Sequence, residues 1–229
     1  MLRKLGSYGA FLQGLAYITM FVLYMAIYPA EGWTEEMMSD MNLMYNFAFG
    51  HVPLLKLQYL LDVAFGVGIM TTGLAMYRRF RGRNIDAALL ILGSGFAGSI
   101  LFLASGVMGI VNIDQTVQLA NGQVTQSFIS LGLVQGGLEV AGIFSSGWSM
   151  LFIAYASSQA KVMKNWMNIM GYIGAAGSIV MMPLFIIAPS MMFICMMLGL
   201  FGMVYMFAMG FSLSGKAAQQ AFELDLSSR

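Results

Sequence analysis

The sequence predicts an all-α fold, a polytopic membrane bundle of six transmembrane helices. The 229-residue chain is 59% hydrophobic and only 9% charged, whereas roughly 25% of the residues in a soluble domain are charged. The apolar residues are also grouped into blocks of about 20, the length that crosses a hydrocarbon core of ~30 Å. So few charges cannot cover a water-soluble surface. A chain of this length fits one domain, residues 1–229.

Six apolar stretches define the expected spans. Pro53 suits the first turn of the second helix, where a missing N–H costs nothing. Pro183 is expected to kink the fifth helix. The expected spans cover about residues 6–28, 51–77, 85–110, 127–155, 167–187 and 191–213.

Every arginine cluster and most lysines lie on one side of this predicted bundle. They form four short segments, whereas the opposite loops hold an acidic segment and Asp114. Lysine and arginine are enriched in cytoplasmic loops. We therefore expect both termini in the cytoplasm, in a bacterial inner membrane. The basic segments are residues 3–4, 78–83, 161–164 and 216.

Residues 30–50 are predicted to form an extracytoplasmic loop that contains a short amphipathic helix. Four methionines in this loop are spaced i, i+1, i+4 and i+7, which places them on one face of a helix lying on the membrane surface. Thioethers are soft ligands suited to Cu(I), so the loop is a candidate copper site. Alternatively, the methionines replace leucine, because flexible thioethers fill irregular gaps. The candidate ligands are Met37, Met38, Met41, Met44 and His51.

Two carboxylates lie inside apolar spans and mark the main candidate site. Asp62 lies ten residues into the second span, or ~15 Å along a helix. Glu139 lies eleven residues into the fourth span, or ~16 Å. Both depths are near the middle of a ~30 Å core. Each acid also has a glutamine one turn earlier on the same face, Gln58 and Gln135.

The depth of these acids allows two interpretations. An ionised side chain there costs ~2.5–3.5 kcal/mol or more, so it finds a cation or a donor, or takes up a proton. Small residues such as Gly66 and Gly73 lie on the face of Asp62, which is therefore expected to point into the bundle. The functional interpretation is a proton or cation site. The structural one is a protonated acid that holds helices together by bonding to a nearby glutamine, threonine or serine.

The sequences around the two acids predict an internal repeat. When Asp62 is superposed on Glu139, the preceding glutamines coincide. After a gap of three residues in the alignment, the segment 69–76 matches the segment 143–150. One span later, residues 95–100 match 174–179. A composition this rich in a few apolar residue types also produces chance matches. The alternative is a duplicated helical hairpin, spans two–three and four–five, arranged as parallel repeats about the membrane normal.

An arginine-rich turn follows the second span. Clustered arginines next to a membrane helix bind anionic lipid headgroups. They also serve simply as the signal that keeps a loop in the cytoplasm. The residues concerned are Arg78, Arg79, Arg81 and Arg83.

The chain carries no recognisable catalytic motif. We find no P-loop, dinucleotide-binding, zinc-protease, nucleophile-elbow or CxxC pattern. The single histidine, His51, lies at a helix start, and the single cysteine, Cys195, has no partner for an internal disulfide. We therefore predict a protein that is not an enzyme and uses no cofactor. A net charge of +1 gives no indication of a nucleic-acid partner.

Three features together carry a resemblance. Asp62 lies in the second span, the arginine-rich turn at residues 78–83 follows immediately, and the fourth and fifth spans are rich in glycine and serine. In these features the chain resembles small bacterial six-helix membrane families of unknown function. The resemblance covers most of the chain. It implies the six-helix architecture and no activity.

The leading functional prediction is a non-enzymatic scaffold or accessory subunit of a larger membrane complex. Short loops and glycine-rich faces suit helix–helix association. The expected partners are the lipid bilayer and other membrane subunits or further copies of the chain. One alternative is a small proton- or cation-coupled transporter or channel that uses Asp62 and Glu139, and another is a copper-handling membrane protein. The glycines concerned are Gly93, Gly95, Gly98, Gly171, Gly174 and Gly177.

Overall fold

The computed structural model describes residues 1–34, 37, 40–119, 126–187 and 192–215. Within these residues the chain forms helices and no strand, which confirms the predicted all-α class. Helix α1 runs through a π-helical turn at Leu23–Ile27. The helices are α1 (Leu2–Ala30), α2 (Met41–Gly50), α3 (Val52–Phe80), α4 (Ile85–Leu119), α5 (Gln126–Gln159), α6 (Asn165–Ile187) and α7 (Met192–Ser214).

Five of the described helices are long and apolar enough to cross a membrane. They are α1, α3, residues Ile85–Gln115 of α4, Phe128–Gln159 of α5 and Met197–Ser214 of α7. Helix α6 corresponds to the predicted fifth span but is not among the five. The fold is therefore that of a multi-pass helical membrane protein.

The six long helices form a closed ring. Each packs against the next along the chain, and α7 returns to pack against α1. Glycines allow the closest approaches, since a Cβ added to Gly66 of α3 would lie only 3.0 Å from the backbone oxygen of Ser99 on α4. One added to Gly98 of α4 would lie 3.2 Å from the backbone nitrogen of Ser146 on α5. Small residues at these points allow the backbones to approach closely.

Arginine and serine side chains close the ring between α7 and α1. Nη1 of Arg3 donates to the carbonyl oxygen of Leu213 at 3.0 Å and also reaches the next two carbonyls. The last carbonyls of a helix have no partner within it, and a cation there also complements the helix dipole. The Ser7 hydroxyl donates to Gly210 O at 2.8 Å, and Arg79 of α3 donates to the Ser212 hydroxyl at 3.3 Å. We call this end of the ring the basic end.

Helix α2 covers the opposite end of the ring, which we call the α2 end. The Asp40 carboxylate accepts a hydrogen bond from the backbone N–H of Asn42 at 2.8 Å and so caps the first turn of α2. The loop therefore contains a short helix, as expected, but the helix begins at Met41. Met37 precedes the cap and so lies outside α2, whereas Met38 lies outside the described residues.

The structure does not confirm the duplicated hairpin. A Cβ added to Gly73 of α3 would lie 3.9 Å from Gly95 Cα on α4. A Cβ added to the matching Gly147 of α5 would instead lie 2.8 Å from Ser178 Cβ on α6. Gly95 aligns with Gly174 in the sequence match, so the second helix pair is shifted by about one turn relative to the first.

Candidate intramembrane carboxyl site

Asp62 lies on α3 with its side chain completely enclosed. It is ten residues beyond the first residue of α3, or ~15 Å at the usual rise. The residue is 0% exposed, and neither carboxyl oxygen has a hydrogen-bond partner among the described residues. Buried polar atoms are nearly always paired, so an unpaired buried carboxyl calls for an explanation in terms of function.

Glu139 lies on α5 in a more open and better-paired position. Its side chain is half-buried, and Gln135 Nε2 donates to Glu139 Oε2 at 3.3 Å. The same Gln135 amide donates to the Ser105 hydroxyl of α4 at 3.1 Å, and that hydroxyl donates to Gln135 O at 3.3 Å. These bonds hold Glu139 and its helix against α4.

Helix α4 aligns the two acids at one level of the ring. Its Ser105 bonds to Gln135 on α5, whereas its next residue, Gly106, packs against Tyr59 and Val63 on α3. Residues 105–106 therefore lie beside the helical turns that carry both acids. The two carboxyl groups are close enough for their charges to interact. The structure thus places Asp62, Glu139 and Gln135 at one level of the ring.

The fourth predicted site residue, Gln58, belongs to a hydrogen-bond network on the α2 side of the acids. The Tyr28 hydroxyl donates to Gln58 Oε1 at 2.6 Å, and Gln58 Nε2 donates to the Tyr24 hydroxyl at 2.6 Å. The Tyr24 and Tyr28 rings also meet edge to face, 5.4 Å apart. Gln58 therefore links α3 to α1.

Three tyrosines at this site were missed by the sequence analysis. Tyr24, Tyr28 and Tyr59 all lie within electrostatic reach of Asp62 and Glu139. Their signal in the sequence is weak, because tyrosine in an apolar span is common near interfaces. The spacing of Tyr24 and Tyr28, one turn apart on the same face of α1, is the feature that could have revealed the network.

Two phenylalanines separate the acids from the basic end. Phe65 of α3 and Phe102 of α4 are 4% and 3% exposed, and their rings meet edge to face at 4.9 Å. Phe65 lies almost one turn beyond Asp62 toward the basic end. Aromatic pairs of this kind are among the strongest apolar contacts, so they form a dry layer on this side of the acids.

A small cavity with a mixed lining of apolar and polar side chains lies beyond this layer, toward the basic end. It measures about 20 Å³, which is room for about one water molecule. Gln13 Nε2 donates to the Thr72 hydroxyl at 2.8 Å, and Thr72 donates to Gly6 O at 3.3 Å. Thr72, a threonine on the helix of Asp62, therefore bonds to α1. Ser146 and Ser149 of α5 complete the polar lining.

The other predicted site residues lie away from the acids. His51 Nδ1 is 2.9 Å from Phe47 O and its Nε2 is 3.3 Å from Glu31 Oε2, so both ring nitrogens have partners. Met38 lies outside the described residues, as does the Met41 side chain, and Met37 packs beside Phe47. Within the described part of the chain no group of three His, Cys, Asp or Glu residues could hold a metal ion.

The predicted headgroup arginines lie at the basic end. Arg78 and Arg83 are exposed, whereas Arg79 and Arg81 are half-buried. Lys56, the basic residue nearest to Asp62 in sequence, forms an ion pair with Asp114 at the α2 end. No family model, curated protein or solved structure matches the chain.

Proposed function

We propose that this protein moves protons or other cations across a membrane, with Asp62 and Glu139 as the ion-binding site. The observation that carries the proposal is the Asp62 carboxyl, which is 0% exposed and unpaired among the described residues while a second carboxyl lies within electrostatic reach. Ionisable residues inside membrane bundles mark ion pathways and proton relays. A purely structural acid would be expected to bond to a neighbouring helix, and Asp62 does not.

The membrane arrangement is part of the proposal. Helix α6 would serve as a sixth span, because it packs between α5 and α7 in the ring. Both termini would lie in the cytoplasm of a bacterial inner membrane, with the basic end facing inward. The charge distribution supports this orientation, since Arg3, Arg79 and Lys164 lie at one end, whereas Glu31 and Asp40 belong to the other.

The glycine contacts favour this proposal over a scaffold or accessory subunit. The scaffold prediction relied on glycine faces that would be free to bind partners. Gly98 instead packs against α5, Gly171 lies against the Tyr205 ring, and Gly174 contacts Gly202 of α7. These three glycines serve to close the ring, whereas a Cβ added to Gly93 would meet nothing within 4 Å. Most of the glycine contacts described for these two faces are therefore internal.

Flux measurements in liposomes test the proposal. Purified protein would be reconstituted and exposed in turn to proton, sodium and potassium gradients with charge compensation. We expect flux of at least one cation above that of protein-free liposomes. The double substitution Asp62→Asn with Glu139→Gln should return the flux to that background.

The matched control is Asp86→Asn, because Asp86 is an exposed acid in the first turn of α4. Its flux should equal that of wild type. Equal flux in wild type and the double variant, or no flux of any of the three cations in wild type, would contradict the proposal.

A further inference from the structure

The groups around Asp62 limit which cation the site can hold. Helix α4 carries its acids, Asp86 and Asp114, near its two ends, away from the level of Asp62. The titratable groups that face Asp62 are Tyr24 and Tyr28 from α1, Tyr59 from α3 and Glu139 from α5. Apart from the two carboxylates, the described residues around Asp62 present hydroxyl and amide groups and no further acid.

The direction of the hydrogen bonds shows that one of these neighbours still has a hydrogen atom to donate. Tyr28 donates to the Gln58 carbonyl oxygen, and the Gln58 amide donates to the Tyr24 oxygen. A phenol that accepts one bond still has its own hydrogen to donate. Tyr24 is thus left as a donor, and the two unpaired oxygens of Asp62, one turn from Gln58 on the same helix, are left as acceptors.

A metal ion would need more oxygen ligands and more room than this site has. Hard divalent cations take about six oxygen ligands, and the described residues here supply two carboxyl groups. Asp62 is 0% exposed. The water-sized cavity at Gln13 and Thr72 lies beyond the Phe65–Phe102 layer, because Thr72 is ten residues or ~15 Å further along α3. A hydrated ion has no space beside Asp62, whereas a proton needs none.

We infer that the ion this site carries is a proton, which Glu139 takes from water and passes to Asp62. The inference rests on the proposed function and narrows its substrate. In the first step a hydronium ion loses a proton to the Glu139 carboxylate, leaving water. In the second the O–H bond at Glu139 breaks as one forms at Asp62, so charge moves from one carboxyl to the other and no other reactant is needed. Glu139 is placed first in this order because it is only half-buried, whereas Asp62 is 0% exposed.

Infrared spectroscopy of the reconstituted protein tests the identity of the ion directly. A protonated carboxyl has a carbonyl band distinct from that of a carboxylate. We expect such a band at neutral pH in wild type and in Asp86→Asn, and its loss in Asp62→Asn. Replacing N-methylglucamine chloride by sodium or potassium chloride should leave the band unchanged. Disappearance of the band on adding sodium or potassium would overturn the inference.

Flux measurements separate this inference from the proposed function. Proton movement that depends on Asp62 and is unchanged when sodium and potassium are replaced by N-methylglucamine supports both. Sodium or potassium flux that depends on the acids but moves no protons overturns the inference and leaves the proposed function in place. Absence of any acid-dependent flux would contradict both the proposed function and this inference.

Discussion

Asp62 and Glu139 have similar sequence neighbours and the same depth in the ring, but different surroundings. Asp62 is completely enclosed and has no partner among the described residues, whereas Glu139 is half-buried and bonded to Gln135. The helices that carry them differ in the same way. In the apolar, membrane-spanning stretch of α3 50% of the residues are buried, whereas in that of α5 only 17% are buried. The difference arises from the neighbours of each helix.

Helix α3 is held closely on two sides, and α5 is not. On α3, the α1 network at Gln58 and the close approach of α4 at Gly106 enclose the turns around Asp62. On α5, nothing lies within 4 Å of a Cβ added to Gly136 or Gly137, next to Glu139. Two similar sequences thus give one fully enclosed acid and one that is less enclosed, and the proposed proton transfer runs from the second to the first.

The largest effect on the free energy of unfolding is expected when a glycine packed between α3 and α4 is replaced by a larger residue. A Cβ at Gly106 would lie 2.5 Å from the backbone oxygen of Tyr59, which cannot move without shifting α3. We expect Gly106→Leu to lower the free energy of unfolding by about 3 kcal/mol or more, because overpacking between backbones is poorly relieved. Chemical unfolding in detergent micelles measures this change in the free energy of unfolding.

Gly136→Leu is the matched control for this prediction. It lies on α5 at nearly the same level, and a Cβ there meets nothing within 4 Å. Its effect should stay within about 0.5 kcal/mol, as for most substitutions at open positions. Equal losses at Gly106 and Gly136 would show that α5 is enclosed as tightly as α3, and the asymmetry would be lost.

A smaller effect of opposite sign is expected from removing the enclosed carboxyl. Asp62→Val replaces an unpaired buried polar group with an apolar one of similar shape, which should raise the free energy of unfolding by about 1–3 kcal/mol. The same change should abolish cation flux, because function here is maintained at a cost in stability. Thermal unfolding in detergent, together with the liposome assay, measures both quantities.

Two companion variants sharpen this result. Asp62→Asn keeps a polar group in the same volume and should give little of the stability gain. Glu139→Val removes a half-buried acid that is bonded to Gln135 and should give no gain. A loss of stability in Asp62→Val would mean that Asp62 has a partner in the folded protein and acts as a structural link.

The amino-acid pattern was sufficient to predict the all-α class and the depth of both acids, because apolar block length and helical rise determine them directly. It could not predict the ring, because the closing contacts join Arg3 to Leu213 and Ser7 to Gly210, more than 200 residues apart. Nor could it show which glycines close internal contacts. Gly136 and Gly106 look alike in the sequence and differ only in what the fold places beside them.

The site was predicted only in part for the same reason. Asp62, Glu139 and their glutamines stand out as polar groups in apolar spans. The partners of Gln58 are Tyr24 and Tyr28 of α1. Because these tyrosines carry no charge, their sequence suggests residues at the membrane interface and not partners of a buried glutamine. Methionine spacing in residues 37–44 predicted one helical face, and the Asp40 cap starts α2 at Met41, so that Met37 lies outside this helix.

The smallest expected effects come from the two glutamines, which differ in what they join. Gln58 makes two hydrogen bonds of 2.6 Å to α1, and Gln135 makes one of 3.1 Å to the Ser105 hydroxyl of α4. Hydrogen bonds between membrane helices are worth about 0.6 kcal/mol each on average. We therefore expect Gln58→Leu to lower the free energy of unfolding by about 1–2 kcal/mol and Gln135→Leu by about half as much.

Unfolding curves of both variants in the same detergent provide the comparison, and Tyr28→Phe provides the control for Gln58. That change removes one of the two bonds and should give about half the loss seen in Gln58→Leu. If Gln135→Leu proves the more costly, the bonds between α4 and α5 hold the site more firmly than the α1 network does. Glu139 would then be the acid that its hydrogen bonds hold more firmly, although it is the less enclosed of the two.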